Sequence, residues 1–155
     1  MRPFAALSLV ARLDHSPKTL SIVNLGHDGR GVGRWPEGHA NAGKTVFVAG
    51  ALPGETVSVQ QTARSRHFDE AKTLEVLEAS PDRVEPRCPH FGTCGGCVLQ
   101  HFAEDRQIEA KQRQLLDNLQ RIGHVAPQAV LPPLRGDSWG YRRKGRFSVR
   151  RVEKK

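Results

Sequence analysis

The sequence predicts a mainly β chain in which a small barrel is followed by a cysteine-rich loop, one helix and the start of a further domain. Three observations support this prediction. Short runs of strand-forming residues, separated by Gly and Pro turns, recur between residues 18 and 79. The cysteines all lie between residues 88 and 97, and apolar residues recur at helical spacing between residues 103 and 122.

The first part of the chain contains four runs with the composition of strands: residues 19–25, 45–48, 55–61 and 71–77. Between the first two runs, residues 27–33 contain three glycines around Val32, which predicts a turn or a bulge. Four or five short strands at this spacing predict a small barrel over residues 18–80. Residues 1–17 are weakly patterned and predict an N-terminal arm.

The rest of the chain divides into two segments. Residues 81–123 contain the cysteine loop and a helix predicted over residues 103–122, whose apolar stripe should pack on that loop or on further domains. Residues 124–155 begin as a Pro-rich connector. They continue into residues 141–149, which alternate like the opening strand of another domain and have no partner strand left in the sequence.

Basic charge is concentrated at the end of the chain. The net charge is +8, and residues 141–155 carry eight basic side chains against one acidic side chain. A dense positive block attracts polyanions because phosphate neutralisation releases counterions, so nucleic acid is an expected partner. A solvated tail that only aids solubility is the alternative.

Composition excludes several classes of protein. No apolar run reaches the roughly 18 residues of a membrane helix. The first residues lack a secretory cleavage site, and three cysteines are an odd count for a disulfide framework. We therefore expect a cytoplasmic protein with reduced thiols and no membrane partner.

The cysteines follow the spacing C-x5-C-x2-C at Cys88, Cys94 and Cys97. Three thiolates within ten residues can converge on one metal centre, and the glycines between them allow N–H groups to approach sulfur. The spacing is nearer to an iron–sulfur run than to paired zinc knuckles. A Cys3His zinc site completed by His90 or His101 and a loop of unligated thiols remain alternatives.

Three segments resemble one known family. Residues 27–57, HDGRGVGRW…GKTVFVAGALPGETV, resemble a TRAM domain, an RNA-binding barrel related to the OB fold. Residues 80–101, SPDRVEPRCPHFGTCGGCVLQH, resemble the iron–sulfur segment of bacterial RNA uracil-C5 methyltransferases. Residues 139–149, WGYRRKGRFSV, resemble the start of their central domain. The segments occur in family order and are similar to the branch that methylates a uracil of 23S ribosomal RNA.

The resemblance implies a five-stranded OB-like barrel and a 4Fe–4S cluster held by Cys88, Cys94, Cys97 and a fourth cysteine that this chain lacks. It also implies methyl transfer from S-adenosylmethionine to uracil C5, with a cysteine thiolate adding to C6 and a carboxylate removing the C5 proton. The sequence contains no Gly-rich cofactor loop and no further cysteine. We therefore expect the N-terminal third of such an enzyme, inactive alone, with S-adenosylmethionine bound only by the full-length enzyme. A free-standing TRAM-type RNA-binding module with a structural zinc or iron–sulfur site is the alternative.

The implied partner is 23S ribosomal RNA, bound by a monomer. Candidate phosphate contacts lie on the Gly-rich loops, on a second basic turn and in the tail: Arg30, Arg34, Lys44, Arg64, Arg66, Arg142, Arg143, Lys144 and Arg146. Aromatic side chains supply stacking in OB-related barrels. Trp35 and Phe68 fit either a stacking or a core position, whereas Phe47 lies within an apolar run and is expected in the core.

Overall fold

Five strands and one helix make up the computed structural model, which describes residues 13–145. The elements are β1 (Lys18–Leu25), β2 (Gly31–Arg34), β3 (Thr45–Ala49), β4 (Thr56–Arg64), β5 (Phe68–Glu78) and α1 (Glu104–Arg121). The predicted mainly β architecture with a five-stranded barrel and one helix is confirmed. The predicted arm over residues 1–17 lies almost wholly outside the described residues.

The strands close into a barrel in the order β1-β2-β3-β5-β4. Every neighbouring pair is antiparallel except β3 and β5, which run parallel with Val48 opposite Ala71. Closure leaves no unpaired edge, so the backbone polar groups of all five strands find partners within the sheet. β1 and β4 close the circle through the pair Leu20 and Val57.

The core is the inward face of these strands. Inward and outward residues alternate along β3 and β4, as expected from the period of two in a strand. Trp35 adds the largest buried side chain from the end of β2. The cluster of buried apolar residues consists of Leu20, Ile22, Trp35, Val46, Val48, Ala51, Val57, Val59 and Ala71.

The glycines of residues 27–33 have two different roles, and the predicted turn or bulge is found as a turn at residues 27–29 followed by β2, with a register shift in the opposite strand between Ile22 and Asn24. Gly29 has a φ of +82° and makes the turn. Gly31 and Gly33 instead lie in β2 and face the core, opposite Val48 and Val46. A Cβ at Gly31 would lie 2.8 Å from both the Ala51 carbonyl oxygen and Ile22 Cγ2. Glycine is needed here because the backbones of neighbouring segments approach closely.

α1 confirms the predicted helix, and its apolar stripe does not pack on the cysteine loop, the first of the two alternatives expected for it. None of its residues is buried. Its apolar residues line an open groove of about 630 Å³ together with residues of the connector between Pro127 and Leu134. Within residues 13–145, no helix combines the length and the apolar character needed to cross a membrane.

The strand predicted over residues 141–149 is wrong for its described part. Residues 141–145 form no regular structure, and residues 146–149, including Arg146, lie outside the described residues. A strand needs a neighbour for its hydrogen bonds, and the five described strands already pair with one another in a closed barrel. Residues 141–145 therefore remain irregular.

The close approach at Gly31 makes a testable prediction. Gly31→Ala should lower the free energy of unfolding by about 1–3 kcal/mol because the new methyl group overpacks the barrel against backbone that cannot move aside. Gly136→Ala is the matched control, since a Cβ there meets nothing within 4 Å. Urea denaturation followed by Trp35 fluorescence measures both variants, and equal stability of the two would contradict the packing described here.

Candidate nucleic-acid interface and cysteine loop

A buried carboxylate organises the loop between β2 and β3. Asp69 is fully buried and accepts hydrogen bonds from Trp35 Nε1 at 2.7 Å and Asn41 Nδ2 at 3.4 Å. Lys44 Nζ forms an ion pair with the same carboxylate and also donates to the Ser65 carbonyl oxygen at 2.6 Å. These contacts join the β2–β3 loop to the β4–β5 turn. Lys44, predicted as a phosphate contact, is instead largely buried and neutralises Asp69.

The surface above this network is basic. Arg34 Nη1 donates to the Gly43 carbonyl oxygen at 2.8 Å, and Arg64 Nη2 donates to Asn41 Oδ1 at 2.8 Å. Both are exposed, as are Arg66 and His67 in the β4–β5 turn. Among residues 13–145, none of these four side chains forms a salt bridge to a carboxylate. We call Arg34, Arg64, Arg66 and His67 the basic end of the barrel, and its positive charge is free for a polyanion.

An aromatic patch lies on the outer face of β3 and β5. Phe47 and Phe68 are half-buried and meet edge to face, with ring centroids 5.3 Å apart. The Arg30 guanidinium lies over the Phe47 ring, 5.0 Å from its centroid. The expectation that Phe47 belongs to the core is therefore wrong, because the alternation of β3 buries Val46 and Val48 instead. Phe68 likewise lies in the patch, whereas Trp35 is a core residue.

The charge of Arg30, which lies over the aromatic patch, is compensated. Its guanidinium contacts Asp28 Oδ2 at 2.6 Å and Glu70 Oε1 at 3.0 Å. These contacts hold the guanidinium over the Phe47 ring and reduce its attraction for phosphate. Arg30 therefore contributes a planar surface more than free charge.

A second buried carboxylate fixes the segment that follows the barrel. Glu55 is 1% exposed and pairs with Arg83, with Oε1 to Nε at 2.5 Å and Oε2 to Nη2 at 2.9 Å. It also accepts the Leu52 N–H at 2.8 Å. Burial opposes ionisation of Glu55, but the Arg83 guanidinium and the Leu52 N–H hold the pKa of its carboxyl below its usual value.

The cysteine loop begins directly after this anchor. Cys88 is half-buried, Cys94 and Cys97 are exposed, and all three are free thiols. The Cys88 N–H donates to Gln100 Oε1 at 3.1 Å, and the Gly96 N–H donates to Cys94 Sγ at 3.4 Å. Gly95, with a φ of +70°, allows the turn that brings this N–H to the sulfur.

The structure does not bring the three thiols together. Within residues 13–145, no group of three His, Cys, Asp or Glu side chains is placed to hold a metal ion. The donor set nevertheless fits a thiophilic metal centre, since three thiols occur on one short loop and one of them already accepts an N–H bond. Of the two histidines considered as ligands, His90 is exposed and His101 is buried.

His101 lies beneath the cysteine loop in an unusual environment. It is 2% exposed, its ring centroid is 5.1 Å from that of Phe91, and its carbonyl oxygen accepts the Val84 N–H. Its two ring nitrogens are the only buried side-chain polar atoms without a hydrogen-bond partner in residues 13–145. Burial, together with the nearby positive charge of Arg83, lowers the pKa of His101 to about 4.

The tail residues Arg142, Arg143 and Lys144 are exposed and lie in irregular structure. Because they are not on a strand, the predicted common face of Arg142, Lys144 and Arg146 is not formed in the described part.

The sequence reasoning missed two features that long-range contacts create: the Asp69 network and the Glu55–Arg83 pair. Neither leaves a local signal in the sequence, because Trp35 and Asp69 are 34 residues apart and Glu55 and Arg83 are 28 residues apart.

These features define the class of protein. Residues 18–73 match the family model of the TRAM domain, and the match covers all of the barrel except the last residues of β5. The barrel of this chain is therefore similar to TRAM domains.

The particular relatives are ribosomal RNA methyltransferases. The chain is 69% identical over 144 residues to the 23S rRNA (uracil(1939)-C(5))-methyltransferase RlmD of Xanthomonas euvesicatoria, and these residues are 93% of this chain and 32% of the relative. It is also 69% identical over 145 residues to the protein of the same name from Stenotrophomonas maltophilia, covering 94% and 32%. The resemblance predicted from the motifs is confirmed, and the chain spans about a third of the length of these relatives.

The buried imidazole predicts a pH dependence of stability. The unfolded chain binds a proton at His101 near pH 6.5, whereas the folded chain does so only near pH 4. The unfolded state therefore binds more protons between these values, and the free energy of unfolding should fall as pH falls from about 6.5 to about 4. The slope from this one group approaches about 1.4 kcal/mol per pH unit.

His101→Phe tests this prediction because phenylalanine fills a similar volume without ring nitrogens. Chemical denaturation at intervals from pH 7.5 to pH 4 should show a shallower decline for the variant than for the unmodified chain. His67→Phe, which replaces an exposed imidazole, controls for loss of a histidine as such. Parallel curves for His101→Phe and the unmodified chain would show that His101 does not titrate in this range.

Proposed function

We propose that the chain is the RNA-recognition and iron–sulfur-bearing N-terminal portion of a methyltransferase that uses S-adenosylmethionine to form 5-methyluridine in 23S ribosomal RNA. The observation that carries the RNA-binding part is the basic end of the barrel, where the exposed Arg34, Arg64 and Arg66 form no salt bridge within residues 13–145. The half-buried rings of Phe47 and Phe68 lie on the outer face of the same barrel. Cations neutralise phosphates and rings stack on bases, which together suit a single strand of RNA. The identity to ribosomal RNA methyltransferases supports the choice of RNA.

Arg34, Arg64 and Arg66 carry the electrostatic part of this proposal. The neutral hydrogen-bond partners of Arg34 and Arg64, the Gly43 carbonyl and the Asn41 amide, orient these two side chains without cancelling their charge. Phe47 and Phe68 offer ring surface for one or two bases. Lys44 acts beneath the surface by holding Asp69, so its substitution would act through stability.

The cysteine loop would hold the cluster. Cys88, Cys94 and Cys97 supply three thiolates, and the Gly96 N–H already directed at Cys94 Sγ would stabilise negative charge on that sulfur. A bound cluster would link the three cysteines of this loop to one another. The described residues form a barrel, a loop and a helix, which do not fit an S-adenosylmethionine site, and we derive no methyl-transfer step from them.

Substitution of the basic end tests RNA binding. Arg34→Gln, Arg64→Gln or Arg66→Gln should each weaken binding of single-stranded RNA. Each should also reduce the slope of log affinity against log salt by about 0.7, because one phosphate contact is lost. Fluorescence anisotropy with labelled RNA over a range of salt concentrations gives both quantities. Arg135→Gln, which removes a cation paired with Asp105, is the matched control and should change neither. An unchanged salt slope in all three variants would rule out this surface.

Metal analysis tests the cluster. Chain purified without oxygen should contain iron and acid-labile sulfide in similar amounts and show a broad visible absorption, and Cys94→Ser should lose both. Thr93→Ala on the same loop controls for local disruption. Zinc without sulfide would instead favour a free-standing RNA-binding module with a Cys3His site, and His90→Ala and His101→Ala would then identify the fourth ligand.

A further inference from the structure

A second aromatic and cationic surface lies away from the barrel. The Arg87 guanidinium sits over the ring of Trp139, 5.0 Å from its centroid. Tyr141 follows two residues later, with Arg142 6.0 Å from its ring centroid. We call Arg87, Trp139, Tyr141, Arg142, Arg143 and Lys144 the tail patch.

The tail patch keeps its rings in solvent. Trp139 is 49% exposed and Tyr141 is 67% exposed, which is unusual for large aromatic side chains. Gly140 separates them with a φ of +71°, and a Cβ at this position would meet nothing within 4 Å. Arg87 covers part of the Trp139 ring, so the remaining exposed surface is available to a second planar group.

The charge of the tail patch is not compensated. Among residues 13–145, Arg87, Arg142, Arg143 and Lys144 form no salt bridge to a carboxylate. Arg30 of the barrel, by contrast, is paired with two carboxylates. Four free cations beside two exposed rings match a ligand that carries both negative charge and flat aromatic groups.

Single-stranded nucleic acid has both features at every residue. An acidic peptide would satisfy the cations but leave the rings without a stacking partner. Double-stranded RNA would present phosphates but keep its bases inside the helix. The chemistry of the tail patch therefore selects an unpaired strand.

We propose that the tail patch is a second RNA-binding site, in which Trp139 stacks on an unpaired base while Arg142, Arg143 and Lys144 contact the flanking phosphates. This proposal rests on the proposed function, since both require that the chain binds RNA. It adds a site outside the barrel. Arg87 directly precedes Cys88, so the bound strand would lie beside the cysteine loop.

Tryptophan fluorescence provides a direct test. The chain has two tryptophans, and Trp35 is 2% exposed with its N–H bonded to Asp69. Titration with a single-stranded oligouridine of about 12 nucleotides should therefore quench Trp139 alone. Trp139→Phe should abolish most of the quenching and keep most of the affinity, because a ring remains. Trp139→Ala should weaken binding about 5- to 100-fold, as expected for loss of one stacked base.

Controls separate this site from the barrel. Phe47→Leu removes a ring of the aromatic patch and should weaken binding without changing the quenching of Trp139 at saturation. Trp35 emission reports that the barrel of each Trp139 variant is folded. A duplex RNA of the same length should give little quenching.

Three results would overturn the proposal. If RNA binds but Trp139 emission is unchanged, or Trp139→Ala binds as tightly as the unmodified chain, the tail patch is not a base-stacking site and the barrel surface stands alone. If poly-glutamate quenches Trp139 as strongly as RNA, the patch fits an acidic protein partner instead. If the unmodified chain binds no single-stranded RNA, this proposal and the proposed function fail together.

Discussion

Glu55 places a negative charge inside the protein, and the arrangement of the second half of the chain depends on how that charge is compensated. Arg83 reaches back from the segment after β5 and contacts both carboxylate oxygens, while its Nη2 also donates to the Gly50 carbonyl at 2.8 Å. Loss of one partner of such a buried pair typically costs about 3–5 kcal/mol because the other charge remains buried. The pair therefore fixes the position of the cysteine loop on the barrel. The Val84 N–H bond to the His101 carbonyl and the Ala103 N–H bond to the Asp82 carbonyl extend this attachment as far as α1.

Asp69 is a second buried carboxylate that fixes neighbouring segments, at the other end of the barrel. It collects Trp35, Asn41 and Lys44 around one carboxylate, and so joins a long loop to a turn. The exposed arginines above it are held on a rigid base, which reduces the conformational entropy lost when a ligand binds. Two buried carboxylates thus position the basic end of the barrel and the cysteine loop, and neither carboxylate is itself exposed.

The sequence predicts which segments form strands and a helix better than it predicts which side chains of those segments point into the core. Apolar runs and turns gave four of the strands and α1, because these signals are local. The run Thr45–Ala49 has apolar residues at consecutive positions, so its alternation alone could not decide whether Phe47 or its neighbours face inward. The neighbouring strand β2 determines which residues face inward, because Gly31 and Gly33 lie opposite Val48 and Val46 and leave room for their side chains. The prediction of Lys44 as an RNA contact likewise does not take account of its partner, because Asp69 lies 25 residues away in the sequence. The motif family, by contrast, was recognisable, because its residues lie close together in the sequence.

The parallel pairing of β3 with β5 has a consequence for biosynthesis. β1 can pair with β4 only after β4 has been synthesised, and the barrel closes only when β5 pairs with both β3 and β4. No shorter piece of the chain buries the core, so the nascent polypeptide gains little from folding until Glu78 has been synthesised. Arg83 follows Glu78 by only five residues in the sequence, so the side chain that pairs with Glu55 is synthesised directly after the last strand of the barrel. The cysteine loop follows both partners of the ion pair that anchors it.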